Sequence, residues 1–375
     1  MADPRILQMA RVLINYSAAI QPGDRILLEA EPVAEPLIRA LYKYILECGG
    51  HPHLIINLTG QVSQSGIDDI FLQNASPDQM DYIPPFYRMA YEQFESRIRI
   101  HSMNNTKALS NIDPARIARR EKTLQPILEA QFRRGDCGEF RWVTTQFPTL
   151  AYAQDAEMCL AEYEDFLYSA CHVDDPDLDS FEYWKDVEAK QQRLVEAFAG
   201  HDEVVVRCPH CDFRVSVKDR TFINACGKNN MPDGEVFTGP VENSASGWIH
   251  FTFPAVSRGV EVDGVKLRFE DGQVLEAHAD KNQDFLQEML HVDSGASFLG
   301  EFAFGLNYGV QKYTKNILFD EKIGGTFHIA FGAGYPQTGS KNKSAIHWDM
   351  ICDLRQESEV LLDGKMIFKD GEFQI

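Results

Sequence analysis

The sequence predicts an α/β N-terminal domain with a mostly parallel sheet, followed by a mainly β, barrel-like C-terminal domain. Two observations predict it. Through the first 200 or so residues, apolar patterns of helical period alternate with short strand-like runs, the order that builds β-α-β units with right-handed crossovers. Beyond residue 200, strand-like runs separated by Asp-Gly and Gly-rich turns take over, the texture of a barrel-like or strongly curved sheet. A chain of 375 residues can bury two separate cores, and the change of texture divides it into 1–200 and 201–375.

Ile6, Met9, Val12 and Leu13 recur at helical spacing before the turn signal Gln21-Pro-Gly-Asp24. Arg25–Glu29 reads as a strand, and Val33–Cys48 as an amphipathic helix stopped by Gly49-Gly50. His53–Asn57 is the next strand and completes a β-α-β unit. Strands at Arg97–His101 and Phe140–Thr144 flank a helix at Pro114–Arg133, and helices at Met158–Ala170 and Phe181–Phe198 close the region. No G-x-G-x-x-G follows the first strand and no G-x-x-x-x-G-K-[ST] occurs, so this half reads as a scaffold rather than a nucleotide-binding domain. In the second half, Asp263-Gly264, Asp271-Gly272, Asp363-Gly364 and Asp370-Gly371 mark hairpin turns, with one helix at Lys281–Leu290.

With 36 Lys+Arg against 56 Asp+Glu the net charge is −20, which repels phosphate backbones and anionic lipids and sets nucleic acid and membrane surfaces aside as partners. Most of that charge reads as a solvated surface; the alternative for part of it is a carboxylate cluster that holds cations. Eight scattered cysteines, a charged start and no long apolar run predict a cytoplasmic protein with reduced thiols. Cys208-Pro-His-Cys211 has the C-x-x-C spacing of a zinc half-site, but no second C-x-x-C or H-x-x-x-H follows. It reads as a pair of structural cysteines at a strand-to-turn junction, with redox and metal roles as alternatives.

Several charged residues stand where charge is costly. Glu301 is the one charge in Phe298–Asn307, and Glu235 enters an apolar strand after Asp233-Gly234. Burying a carboxylate there requires a cation or donors, unless Glu301 points to solvent from an edge strand. His347 and Asp349 are two apart, hence on one face of a strand. His328 is flanked by apolar residues between glycines, as a core histidine or as a ligand. Imidazole with carboxylate is the donor set of divalent hydrolytic metals such as Zn, Co and Mn.

The stretches Met231–Pro240, Leu299–Gly305, Leu318–His328, Gly334-Tyr-Pro336 and Ser344–Asp349 together resemble the thermophilic-type metallo-aminopeptidases, the M29 family of aminopeptidases T and S. The resemblance implies release of N-terminal residues from small peptides at a two-metal site. It implies metal ligands at Glu235, Glu301, Glu321, His328, His347 and Asp349, with Glu301 bridging two divalent ions. It further implies catalytic roles for Tyr335 and Glu235, and a homodimer. Two alternatives stay open on the residues alone: another metal-dependent amidohydrolase, and a non-catalytic small-ligand-binding α/β protein. Two departures stand out: the run from Glu321 to His328 is longer than in some members, and the loop from Tyr335 to His347 is shorter than in many.

Overall fold

A computed structural model describes residues 3–257 and 259–375. Two compact units emerge, one reaching to Trp184 and including Gly227–Pro232, the other formed by Lys185–Cys226 and Asp233–Ile375. The division therefore falls inside the helix Ser180–Phe198. The return of 227–232 has a physical cause: Asn230–Met231 pairs with Arg141–Gln146 and extends the first sheet by one short strand.

The first unit is built on a five-stranded parallel sheet in the order His51–Ile56, Arg25–Ala30, Ser96–His101, Arg141–Gln146, Asn230–Met231. Its first helix, Pro4–Val12, starts where the Asp3 carboxylate accepts the Arg5 backbone N–H. The helix expected over Val33–Cys48 opens as a 3₁₀ turn at Pro32–Ala34 and runs as α-helix over Glu35–Glu47. It buries Leu37, Ile38, Leu41 and Ile45, and Gly49 takes the left-handed φ of +80° just past its end. Short helices at Asp68–Asn74, Pro77–Met80 and Pro85–Gln93 carry no long apolar period and were not legible in the sequence.

Among the described residues the second unit holds two larger antiparallel sheets around one apolar core, with a two-stranded ribbon of Ala255–Ser257 and Val260–Val262, the form that the expected curved β domain takes. The larger has the order 273–278, 266–270, 246–250, 211–216, 203–208, 359–362, 365–369, 372–373. The smaller has the order His347–Asp353, Thr326–Gly332, Leu299–Gly305, Glu235–Thr238, Ile223–Ala225. Phe213 and Phe269 of the larger sheet meet Phe302 and Phe331 of the smaller, with ring centroids 6.5 and 6.1 Å apart. These rings exclude water from the space between the sheets and leave one face of the smaller sheet for polar side chains.

Candidate metal centre

Period-two alternation sorts the smaller sheet into two faces. Val236, Phe302, Phe304, Phe327, Ile329, Phe331, Trp348 and Met350 belong to the core. The intervening positions Glu235, Glu301, His328, His347 and Asp349 therefore share the opposite face. Register aligns them further: Glu301, Ala330 and Asp349 lie directly across from one another, as do Glu235 and Gly305, and His347 and Gly332. Alanine or glycine stands opposite Glu235, Glu301, His347 and Asp349, so the polar side chains have room to converge. A β-bulge between Leu299 and Glu301 lets Leu299 join the core while Glu301 keeps the polar face. Glycine is required in this bulge, since a Cβ on Gly300 would lie 2.3 Å from the Ala333 carbonyl oxygen.

Glu321 arrives from outside the sheet, at the end of the one-turn helix Ile317–Asp320. That turn is anchored by buried Asp320, which accepts from the Thr314 backbone N–H at 2.7 Å, the Thr314 hydroxyl at 2.9 Å and the Asn316 N–H at 2.8 Å. The Asn307 side chain donates to the Asp233 carbonyl at 2.8 Å, and its backbone N–H donates to the Lys322 carbonyl at 2.9 Å. One residue thus ties the approach to Glu235 to the segment that carries Glu321.

All six expected ligands come together. His328 is fully buried and presents Nε2 to Glu301 at 3.3 Å and to Glu235 at 3.4 Å. His347, its side chain 31% exposed, presents Nε2 to Asp349 at 3.5 Å and Glu301 at 3.8 Å. Its Nδ1 is 2.7 Å from the Ala333 carbonyl oxygen, which fixes the ring and leaves Nε2 for the centre. Glu301 thus stands between the two histidines. Donor atoms of Glu235, Glu321 and His328 lie within 4.8 Å of one another, and so do those of Glu301, His328 and Asp349. Glu235 Oε2 and Asp349 Oδ1 are buried with no hydrogen-bond partner among the described residues. Unpartnered carboxylate oxygens beside imidazole nitrogens fit a divalent cation.

Electrostatics carry the same message. Burial raises Glu235 to about 8 against the pull of Lys322, and burial likewise raises Glu321. Burial would lower both histidines, but Glu301 and Glu235 hold His328 at about 9, and Asp349 and Glu301 hold His347 at about 10. Without metal, protons occupy the centre; a divalent cation reverses that balance. Tyr335 is two-fifths exposed, its ring 5.6 Å from His347 and 5.3 Å from Phe237. Desolvation of its phenol, and then the carboxylates led by Glu301, raise its pKa, so it remains a hydrogen-bond donor.

One residue of the centre was not singled out in the sequence. Lys322 is wholly buried, with Nζ 2.6 Å from Glu235 Oε1, bonded to Glu321 Oε1 and 3.7 Å from Asp233 Oδ1. It lies inside Leu318–His328, yet a lone lysine beside a glutamate reads as a solvated pair, and no periodicity marks it as buried.

Comparison with known proteins agrees with the geometry. The family described as thermophilic metalloprotease (M29) matches residues 2–373. Aminopeptidase 2 of Geobacillus stearothermophilus is 26% identical over 97% of this chain and 96% of its own. Aminopeptidase T of Thermus thermophilus is 30% identical over 38% of this chain and 37% of its own. The solved structure of wild-type AmpT from Thermus thermophilus superposes with a TM-score of 0.83 over 99% of both chains at 19% identity, a likeness of fold. With the match spanning nearly the whole sequence, the chain belongs to the M29 family of metalloproteases.

Proposed function

We propose that the protein is a metal-dependent aminopeptidase that releases N-terminal residues from short peptides, acting in the cytoplasm as a homodimer. The observation that carries this reading is the single face on which two histidines and four carboxylates converge with buried, unpartnered acceptor oxygens. Glu301, His328, His347 and Asp349 would hold the metal, joined by Glu235 and Glu321, and Zn, Co and Mn suit this N/O set. A bound divalent ion supplies a Lewis acid and lowers the pKa of water toward neutrality. Tyr335 then donates a hydrogen bond to the scissile carbonyl oxygen as negative charge develops there. Glu235 relays a proton toward the leaving amine.

The test is chelation followed by resupply of Zn, Co or Mn, with release of N-terminal residues from free-amine and N-acetylated peptides as the readout. Recovery of turnover on free-amine peptides alone is expected. Equal cleavage of acetylated peptides would assign a different metal-dependent amidohydrolase, and indifference to chelation would end the metal reading. Light scattering tests the dimer, and a strict monomer would overturn it.

Lys322 favours a second reading of the number of ions. The resemblance implies two, yet the Glu235–Glu321 side of the centre already contains the Lys322 ammonium. In this reading Lys322 serves as the second cation and one divalent ion binds at Glu301, His328, His347 and Asp349. Metal analysis of the wild-type chain against an E301Q/H328A variant decides. A difference of two ions supports the pair; a difference of one, rising to two in a K322M background, supports the built-in cation.

A further inference from the structure

Away from this centre, three thiols that are distant in sequence meet. Cys208 and Cys211 end the strands Glu203–Cys208 and Cys211–Ser216, face each other across the two-residue turn Pro209-His210, and have Sγ atoms 3.1 Å apart. Cys352 comes from the strand His347–Asp353 of the other sheet, its side chain in the core between the sheets. Sulfur atoms of all three lie within 4.8 Å of one another, with Cys211 and Cys352 buried and Cys208 half-buried. Thiolates about 2.3 Å from a tetrahedral zinc ion stand about 3.8 Å apart, inside the observed spread. A disulfide needs about 2.0 Å, and all three thiols are free.

The turn is shaped for a thiolate. The His210 backbone N–H donates to Cys208 Sγ at 3.3 Å, a bond that stabilises negative charge on sulfur. His210 itself is exposed in the same turn. Its carbonyl accepts from the His250 N–H at 2.7 Å, which braces the turn against the neighbouring strand. The sequence reading missed the site because the second half of the ligand set is one cysteine, 141 residues after Cys211 by their numbering.

We propose that Cys208, Cys211 and Cys352 form a structural site for a thiophilic divalent ion, zinc, with water as the fourth donor. Bound there, the ion fastens the 208–211 hairpin of the larger sheet to the strand that carries His347 and Asp349. Its role is to hold that strand in register with its neighbours, and it takes no part in catalysis.

The test uses the full-length chain purified under reducing conditions. Titration with an organomercurial, with a zinc indicator present, is expected to release one zinc per chain as about three thiols react. Replacement by cobalt(II) is expected to give the intense near-ultraviolet thiolate-to-cobalt absorption. That band should persist in an E301Q/H328A variant, which separates the site from the centre above, and be lost in C352S. Rapid labelling of all three thiols in the folded, zinc-supplied chain would overturn the proposal, as would a cobalt spectrum without the thiolate band. A Cys208–Cys211 disulfide in the reduced preparation would overturn it equally. The wild-type titration keeps the test decisive if a cysteine variant fails to fold.

Discussion

A carboxylate buried in an apolar strand must meet a cation, and Glu235 meets one supplied by the chain itself. With Lys322 in place, Glu235 and Glu321 are compensated before any metal arrives. Removing that ammonium in K322M leaves two carboxylates together in a dry site, a loss of about 3–5 kcal/mol for an unpaired buried charge. The metal-free variant should therefore melt well below the wild type, and added divalent ion should restore much of the difference. Thermal unfolding with and without metal checks this; a variant that melts low and ignores metal would make Lys322 a packing residue only. Tyr335 leads to a separate expectation. Y335F should keep its metal while kcat falls by about 10²–10³, the usual effect of losing one donor to a developing oxyanion. Steady-state kinetics beside metal analysis would show it, and an unchanged kcat would remove Tyr335 from the chemistry. At this scale the sequence was readable where a charge broke an apolar run, as at Glu301, and silent where charge adjoined charge, as at Lys322.

Individual strands contribute one or two donors each, and alternation with register turns those into a set. Ala330 shows how closely this is drawn: it lies directly between Glu301 and Asp349 in the register of three strands and is fully buried. A330L should fill the polar face, cost about 1–3 kcal/mol through overpacking, and abolish metal binding out of proportion to that loss. Metal content and unfolding measured together test it; full metal occupancy in A330L would mean that the face is wider than the register implies. The spacing of His347 and Asp349 was legible, because residues two apart in one strand share a face. The row Glu301–Ala330–Asp349 was not, because it depends on which strands pair and on the bulge at Gly300. Similarly, short helices between Asp68 and Gln93 were missed since one or two turns leave no periodic trace.

For the whole molecule, metal binding, protonation and stability are linked. In the metal-free protein His328 and His347 titrate at about 9 and about 10, above the ordinary 6.5, because carboxylates outweigh burial. The stabilisation from those protonated rings is fully present below pH 6.5 and is lost as pH rises through about 9 to about 10. Glu235, raised to about 8 by burial, contributes with the same sign: stability present below 4.5 and lost through about 8. Ligation needs these protons gone, so metal affinity should climb over the same window. The gap in Tm between metal-loaded and metal-free protein should therefore widen from pH 6.5 toward pH 9. Paired unfolding scans measure it, and a gap that narrows would contradict the proposed ligands.

By itself the sequence determined the alternation of helix and strand and the change to hairpins, because periodicity is written locally in residue order, while the candidate ligands came from a family resemblance. Gly227–Pro232 joins the first unit because the two-residue strand at Asn230–Met231 belongs to the first sheet only through pairing. Only the tertiary structure decided which donors share a space, because strand register and a single bulge set the polar face, and neither leaves a mark in composition. The same holds for Lys322 and for Cys352: each becomes part of a site only when folding removes water from around it and brings distant partners within bonding distance.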